Sequence, residues 1–339
     1  MRAAVLEPGG RFAVKDVPEP QATGSQAVLR VTYCGICGSD LHAIRAGAIP
    51  PGAILGHEIT GEIVALGPDA RGFEVGDRVT TLSALPCDTC SECREGRFRT
   101  CATGWQIYGY ASIPGGYADY VLSHTSVMEK VPAHLSDEAA AFNEPGIVGL
   151  HAVRDSRLRL GDTSVIIGAG PIGLLVLQSV LLANAGPVYV IEPSAGRRSV
   201  AMQLGATAAL HPGHDEVARF LQERTEIGPD VVFECAGARG TLQVALDLVR
   251  PGGQVMVPGV NMEEDEVNPL TMIGKECEIR GALGGAHLFR TALEYLAEGR
   301  IRVEPMISRV VGLDEVDSVC QSLGTATSDD VKVLVAPGR

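Results

Sequence analysis

The feature that most constrains the fold is a strand, a glycine-rich turn, a helix and a second strand in mid-chain. Thr163–Ile167 is apolar and β-branched, residues 168–173 read Gly-Ala-Gly-Pro-Ile-Gly, Ile172–Ala183 has a helical pattern, and Val188–Ile191 is apolar again. Parallel strands need a long crossover connection, and a helix usually supplies it. The stretch therefore predicts a βαβ unit in a mostly parallel sheet that helices cover on both faces.

A transmembrane helix is the rival interpretation of the same stretch, because Val165–Ile191 is strongly apolar. Glycines and prolines interrupt it, however, and Gln178, Ser179 and Asn184 lie within it. A bilayer requires roughly 20 consecutive, mainly apolar residues in one helix. We therefore favour the βαβ interpretation and predict no membrane partner.

Two sequence textures predict two domains, as expected for a chain of 339 residues. Up to about Tyr120, short β-branched runs broken by Gly and Pro predict a small β-rich, barrel-like domain. From about Ser136, strands alternate with helices, two of which are predicted at Ser194–Leu204 and Phe289–Glu298. The terminal strand Val331–Val335 is predicted to return to the β-rich domain.

Charge and cysteine content exclude several classes of protein. The chain has 41 acidic and 28 basic residues, a formal charge of −13, and no basic cluster interleaved with aromatics, so nucleic acid is a poor partner. Residues 1–10 offer no secretory apolar segment, so we predict a cytoplasmic protein. Because nine cysteines in a reducing compartment do not suit a disulfide framework, metal binding is the leading interpretation.

Four cysteines, Cys87, Cys90, Cys93 and Cys101, form the pattern C-x2-C-x2-C-x7-C. Four thiolates complete a tetrahedral zinc site with no open position, so this pattern predicts a structural zinc. An iron–sulfur cluster is the alternative. Its bacterial pattern has a shorter last interval and a proline where this chain has Ala102, so zinc is preferred.

A second metal site is indicated by Cys37 and by His57, which stands between Gly56 and Glu58. Mixed ligands spread along a chain suit a catalytic zinc that keeps one position for water or substrate. The third protein ligand is either Glu58 or Glu144, and the residues alone leave that choice open.

The ten-residue stretch Tyr33–His42 contains further reactive groups around Cys37. Ser39 and His42 provide a hydroxyl and an imidazole that could carry a proton from a metal-polarised substrate. Cys34 and Cys37 could instead form a redox pair, but no thioredoxin-like βαβ unit surrounds them. We therefore predict proton transfer here.

The glycines of residues 168–173 have the spacing of a dinucleotide-binding loop. Gly168 allows the turn, Gly170 lets the backbone approach the pyrophosphate, and Gly173 lets the helix pack on the strand. Glu192 follows Gly173 by 19 residues, at the end of the second strand. Its carboxylate can bind both ribose hydroxyls and repel a 2′-phosphate, which favours NAD.

NADP is the alternative cofactor, because Arg197 and Arg198 follow Glu192 closely and could bind a phosphate. The ordinary role for both arginines is a solvated helix face.

In chain order, these motifs resemble the zinc-dependent medium-chain dehydrogenase/reductase family, to which alcohol dehydrogenases belong. The resemblance covers nearly the whole chain. Within the family, the chain looks most like the butanediol, sorbitol and threonine dehydrogenase group, in Tyr33–His42, the Cys87–Cys101 loop, Asn143–Pro145 and Val331–Val335.

The resemblance to the family implies two domains. The catalytic domain would be a chaperonin-10-like β-barrel of residues 1–148 and 283–339, and the NAD-binding domain would be a six-stranded Rossmann domain of residues 149–282.

The resemblance also implies roles for single residues. It implies a catalytic zinc held by Cys37, His57 and Glu144, with Glu58 as the alternate ligand. Asp40 would orient His57, and Ser39 and His42 would relay a proton through the nicotinamide ribose hydroxyl. The cofactor would contact Val148 and Lys332 in addition to Gly168, Gly170, Pro171, Ile172, Gly173, Glu192 and Arg197.

We therefore expect an enzyme with two zinc ions per chain that transfers hydride between NAD and a secondary alcohol and its ketone. The alcohol would be a diol, polyol, sugar alcohol or cyclitol.

The interval from Cys37 to His57 is shorter than in butanediol dehydrogenase, which predicts a different wall of the substrate pocket. Few aromatics, with Trp105 and Tyr108 near the pocket loop, favour a small polar substrate, although core or loop packing is the favoured role for both aromatics. The family implies a homo-oligomer, a dimer or tetramer. The alternatives are an NADP-dependent carbonyl reductase and a noncatalytic nucleotide sensor.

Overall fold

The structure is a computed structural model that describes the chain except residues 88, 95–100, 104–105, 111–112, 214–215 and 324–327. The chain divides into two compact units. The first unit contains Met1–Glu144, Arg309–Gly324 and Val333–Arg339, and the second contains Pro145–Ser308 and Thr325–Lys332.

Strands and helices are distributed differently along the chain. The strands are β1 (Arg2–Glu7), β2 (Arg11–Asp16), β3 (Gln26–Gly35), β4 (Glu58–Leu66), β5 (Arg78–Thr81), β6 (Ala84–Leu85), β7 (Gln106–Ile107), β8 (Tyr120–His124), β9 (Met128–Lys130), β10 (Ser164–Ile167), β11 (Val188–Ile191), β12 (Ala208–Leu210), β13 (Val231–Glu234), β14 (Gln254–Val257), β15 (Glu278–Gly281), β16 (Ile307–Val311) and β17 (Lys332–Val335). The α-helices are α1 (Gly38–Arg45), α2 (Ser91–Arg94), α3 (Asp137–Ala140), α4 (Asn143–Arg154), α5 (Pro171–Leu182), α6 (Ala195–Gln203), α7 (Val217–Thr225), α8 (Thr241–Leu248), α9 (Pro269–Lys275), α10 (Phe289–Ala297) and α11 (Val316–Leu323).

The first unit is built on a sheet with strand order β16-β17-β3-β4-β5-β9, and β8 also pairs with β3. The pairings of β3 with β4, β8 and β17 are antiparallel. Leu29, Ile59, Ile63 and Val333 belong to one buried apolar cluster in this unit. Both ends of the chain therefore supply this sheet, and β17 places the C-terminal segment beside β3.

The second unit contains a parallel sheet with strand order β12-β11-β10-β13-β14-β15. Every residue of β10 is buried, as expected for a strand covered on both faces. Helix α5 follows it and buries Leu174 through Val180. The doubly wound parallel sheet that the sequence predicted is confirmed.

The membrane alternative receives no support from this fold. Within the residues that the structure describes, no α-helix combines the length and apolar character needed to cross a bilayer. Residues 165–191 instead form β10, α5 and β11 with the connections between them.

The compact units do not coincide with the domain ranges expected from the sequence. Residues 283–308, expected in the catalytic domain, belong to the second unit, as do residues 145–148. The expected ranges, 1–148 with 283–339 and 149–282, remain a prediction about functional domains.

Candidate functional site

Pairing of two strands brings Cys37, His57 and Glu58 together in the first unit. In the β3–β4 ladder Gly35 lies opposite Glu58, so Cys37 follows the end of one strand and His57 immediately precedes the other. One ligand atom from each of Cys37, His57 and Glu58 lies within 4.8 Å of the others. A thiolate, an imidazole and a carboxylate at this spacing fit the ligand set of a zinc ion.

Two glycines give this cluster its space. A Cβ atom on Gly35 would lie 1.9 Å from Glu58 Oε2, so only glycine leaves room for that carboxylate. Gly56 has φ +96°, and a Cβ there would lie 2.6 Å from the Tyr117 ring. The backbone before His57 is therefore set by a conformation that favours glycine.

Asp40 contacts the Nδ1 edge of the His57 ring. His57 Nδ1 lies 3.2 Å from Asp40 Oδ1, and Tyr117 donates a 3.4 Å hydrogen bond to Asp40 Oδ2. Burial lowers the pKa of His57, but the Asp40 carboxylate and the Cys37 sulfur outweigh it and raise that pKa well above its usual value. Asp40 therefore stabilises positive charge on this ring, and its contact with Nδ1 leaves Nε2 for a metal ion.

Helix α1 carries the predicted proton-transfer residues. Cys37 precedes α1, and Ser39 Oγ donates a 3.2 Å hydrogen bond to Cys37 Sγ. Ser39 and His42 are half-buried and three residues apart, which places them on one face of the helix. Their proton relay remains a prediction.

Glu144 is not brought into the metal cluster. It lies near the start of α4 and is buried, but it is not a member of the group formed by Cys37, His57 and Glu58 among the described residues. Glu58, 1% exposed, takes the carboxylate position in that group. The structure thus places Glu58 beside the other two ligands, and a ligand role for Glu144 remains a prediction.

The four cysteines of the predicted structural site converge as expected from their spacing. The sulfurs of Cys87, Cys90, Cys93 and Cys101 all lie within 4.8 Å of one another. The Cys90 N–H donates a 3.4 Å hydrogen bond to Cys87 Sγ, and the Cys93 N–H donates one of the same length to Cys90 Sγ. Converging sulfurs with N–H donors fit a four-thiolate zinc site.

Local donors favour the thiolate form that a metal needs. Hydrogen bonds from Thr89 and from the backbone lower the pKa of Cys87 to about 5. Backbone hydrogen bonds also lower the pKa of Cys90, whereas burial raises that of Cys93 to about 12. Two of the four thiols are therefore prepared for metal binding, which requires deprotonation.

The glycine-rich loop of the second unit has the geometry expected of a nucleotide site. Gly168 has φ +95°, and a Cβ on Gly173 would lie 1.9 Å from the Gly168 carbonyl oxygen. At Gly170 a Cβ would meet nothing within 4 Å, so the loop surface there is open to a ligand. Gly170 precedes α5, whose first residue is Pro171, and a helix N-terminus beside an open loop can bind a pyrophosphate.

Glu192 is fixed by two backbone donors. It is 3% exposed, and it accepts 2.8 Å hydrogen bonds from the N–H of Ala169 and of Ser194. An ionised carboxylate has about four acceptor positions, so both of its oxygens can also accept from ribose hydroxyls. This position agrees with the predicted ribose role.

The two arginines that kept NADP as an alternative are engaged with the backbone. Arg197 donates to the Asp330 carbonyl at 3.1 and 2.7 Å, and Arg198 donates to the carbonyls of Glu192 and Pro193 at 2.8 and 2.7 Å. The second unit also contains the remaining predicted cofactor residues, which are Val148 in α4, Ile172 in α5 and Lys332 in β17.

Sequence reasoning favoured the correct role for one aromatic and missed two polar contacts. Tyr108 is fully buried in the apolar cluster of the first unit and donates to Ser123, which confirms core packing, and Trp105 lies outside the described residues. The hydrogen bond from Tyr117 to Asp40 could not be predicted, because no sequence pattern links the two residues. Asp329, which accepts from Ser194 Oγ, lies in a polar run typical of a loop.

Comparisons with known proteins match both units. Residues 23–133 match the family model of the alcohol dehydrogenase GroES-like domain, and residues 171–298 match that of the zinc-binding dehydrogenase. The chain is 30% identical to sorbitol dehydrogenase of Bacillus subtilis (strain 168), over 100% of this chain and 98% of that protein. It is 30% identical to (R,R)-butanediol dehydrogenase of the same strain, over 99% of this chain and 100% of that protein. A candidate zinc-binding dehydrogenase of Sinorhizobium meliloti 1021, solved with bound NADP, has a TM-score of 0.90 and 33% identity over 99% of each chain.

Proposed function

Because this chain belongs to the zinc-dependent medium-chain alcohol dehydrogenase family, we propose that it interconverts a secondary alcohol and its ketone with NAD as the hydride acceptor. The substrate class that we propose is a diol, polyol, sugar alcohol or cyclitol. Similarity along the full chain to a sorbitol and a butanediol dehydrogenase supports this class.

One observation carries the proposal: the convergence of Cys37, His57 and Glu58 within 4.8 Å, in a chain that also contains the glycine-rich nucleotide loop. A zinc-free reductase would have no use for this set. The residues fit a catalytic zinc, because the donors are chemically suited to it and because Asp40 already orients His57.

The residues of the chain have separate tasks in this reaction. When bound, zinc polarises the substrate oxygen and lowers the pKa of the alcohol, and the nicotinamide supplies the hydride acceptor. Asp40 holds the His57 ring and its tautomer, while Ser39 and His42 carry the alcohol proton toward solvent. Glu58 would supply the third protein donor to that zinc ion, beside Cys37 and His57.

The preference for NAD rests on Glu192. Its carboxylate is buried at the end of β11 and can accept hydrogen bonds from both ribose hydroxyls, but it would repel a 2′-phosphate. Arg197 and Arg198 already donate to backbone carbonyls, which supports NAD over NADP. A preference for NADP would instead favour the alternative function, an NADP-dependent carbonyl reductase.

We also propose a homo-oligomer, a dimer or tetramer, in the cytoplasm. Strand β15 ends the order of the parallel sheet, and Leu270 and Ile273 on the neighbouring helix α9 are 69% and 70% exposed. An edge strand beside exposed apolar side chains supports a subunit contact there. Light scattering of the purified protein tests this proposal, and a strict monomer would contradict it.

The deciding experiment for the activity combines zinc quantification with a substrate panel. The purified chain should contain two zinc ions and should change nicotinamide absorbance with at least one diol, sugar alcohol or cyclitol. Cys37→Ala should lose one zinc and all turnover while it stays folded. Full activity of a metal-free Cys37→Ala protein would refute the mechanism. Tight cofactor binding without turnover on any substrate would instead indicate a nucleotide sensor.

A further inference from the structure

Asp329 is bound to the segment that follows the ribose-binding Glu192. Its carboxylate accepts hydrogen bonds from Ser194 Oγ, at 2.5 Å, and from the Gly196 N–H, at 3.3 Å. A Cβ on Gly196 would lie 2.9 Å from the Asp329 side chain, so glycine there allows the close approach. A carboxylate from the C-terminal part of the chain thus covers the first turn of α6.

These donors are the ones that a phosphate would use. Backbone N–H groups in the first turn of a helix bind anions, and a serine hydroxyl beside them can add a donor. Helix α6 begins directly after the Glu192 segment, and Ser194 is its N-terminal cap. In this chain the anion bound by Ser194 and Gly196 is the protein's own Asp329.

The position of this carboxylate relative to the ribose follows from Ser194. Its N–H donates to Glu192 and its hydroxyl donates to Asp329, so the two carboxylates are bound by one residue. The 2′-phosphate of NADP is attached to the ribose oxygen that Glu192 is placed to bind, so that phosphate must lie beside Ser194. A phosphate monoester carries a charge of about −1.5 to −2 at neutral pH, and it would meet two carboxylates there.

Two arginines lie near the Asp329 carboxylate, and their charges lower its pKa less than the hydrogen bonds from Ser194 and Gly196 do. Arg197 is held on the Asp330 carbonyl, within the same C-terminal segment, and Arg198 is held on the carbonyls of Glu192 and Pro193. Hydrogen bonds from Ser194 and Gly196 lower the pKa of Asp329, so it is ionised at neutral pH.

We propose that Asp329 is a cofactor-specificity residue that excludes the 2′-phosphate of NADP by occupying the anion-binding position formed by Ser194 and Gly196. This inference rests on the proposed nicotinamide cofactor, and it adds a second, distant carboxylate to Glu192. The C-terminal segment, rather than the Rossmann sheet alone, then determines the choice between NAD and NADP.

Equilibrium binding of NADH and NADPH to the zinc-loaded protein, without any alcohol, tests the proposal through the fluorescence of the reduced cofactors. Asp329→Ala frees Ser194 and Gly196, so we expect the Kd for NADPH to fall at least tenfold, or about 1.4 kcal/mol. The Kd for NADH should stay within about threefold, because no bond to the ribose hydroxyls is removed. Asp329→Asn removes the charge but keeps a group of the same size, so it should give a smaller change in the same direction.

Asp330→Asn is the matched control. It removes the same charge one residue away and keeps the carbonyl that accepts from Arg197, so the ratio of the two Kd values should change less than about twofold. The proposal is overturned if Asp329→Ala and Asp329→Asn stay folded with an unchanged ratio, or if the control shifts the ratio equally. The proposal would also be overturned if Asp329→Ala weakened the binding of NADH and NADPH equally, because that result indicates a purely structural contact.

The outcome is separable from the proposed activity. A chain that binds NADH but oxidises no alcohol refutes the proposed reaction and leaves the Asp329 measurement readable. A chain that oxidises polyols but shows no Asp329 effect refutes only the specificity role.

Discussion

Asp40→Asn is the sharpest test of how the metal cluster is held. Asp40 is 1% exposed, and its Oδ1 lies 3.2 Å from His57 Nδ1. Asparagine has nearly the same shape and can still place an amide oxygen beside the ring, so the substitution removes chiefly the negative charge. The fold and the four-cysteine site should remain intact.

The magnitude follows from the distance. Two opposite unit charges 3.2 Å apart attract by about 5 kcal/mol at an effective dielectric constant of about 20. A metal-bound ring carries only part of a charge, so the expected loss is well below that limit. Loss of a carboxylate behind a ligating histidine typically costs about 10–100-fold in metal affinity or activity. We expect about tenfold weaker zinc binding for Asp40→Asn and about a hundredfold for Asp40→Ala, which also loses the acceptor.

The assay is competition for zinc with a chelator, with the four-cysteine site of the same chain as an internal reference. Tyr117→Phe is the control, since it removes only the 3.4 Å hydrogen bond to Asp40 Oδ2 and should weaken zinc binding less than about threefold. If Asp40→Asn and Asp40→Ala retain wild-type zinc affinity and turnover, Asp40 does not position His57 and the reasoning is wrong.

Three further predictions concern other charged and metal-binding residues. Glu58→Gln should lower zinc affinity at the catalytic site at least tenfold, and Glu144→Gln should lower it less, because only Glu58 lies within the described cluster. A chelator titration measures both affinities, and a larger loss for Glu144→Gln would assign the ligand role to Glu144. Cys90→Ser should lose the structural zinc and lower Tm by several °C while the other zinc stays, and a calorimetric scan that matches wild type would contradict a structural role. Hydrogen bonds from Arg11 lower the pKa of Asp317, so its contribution to stability is complete above its unfolded pKa and disappears as pH falls through the lowered folded value. The Tm deficit of Asp317→Asn should therefore be present at neutral pH and shrink in acid, and a deficit independent of pH would exclude this ion pair.

Much of the fold could be predicted because its determinants are local. The predicted helix Phe289–Glu298 is α10, Phe289–Ala297, and predicted Ser194–Leu204 is α6 with Ser194 as its cap. The four cysteines converge because their short spacing confines them to one short segment of the chain. The glycine loop depends on backbone freedom at single positions, which the sequence states directly.

The sequence by itself determined the two kinds of unit and predicted two metal sites and a nucleotide loop, because periodicity, glycine positions and short ligand spacings are properties of neighbouring residues. Only the tertiary structure placed Glu58 rather than Glu144 beside Cys37 and His57, since the pairing of Gly35 with Glu58 depends on the register of two strands. It alone brought Asp329 to Ser194 across 135 residues of chain. Such contacts are decided by packing between distant segments, and no local pattern encodes them.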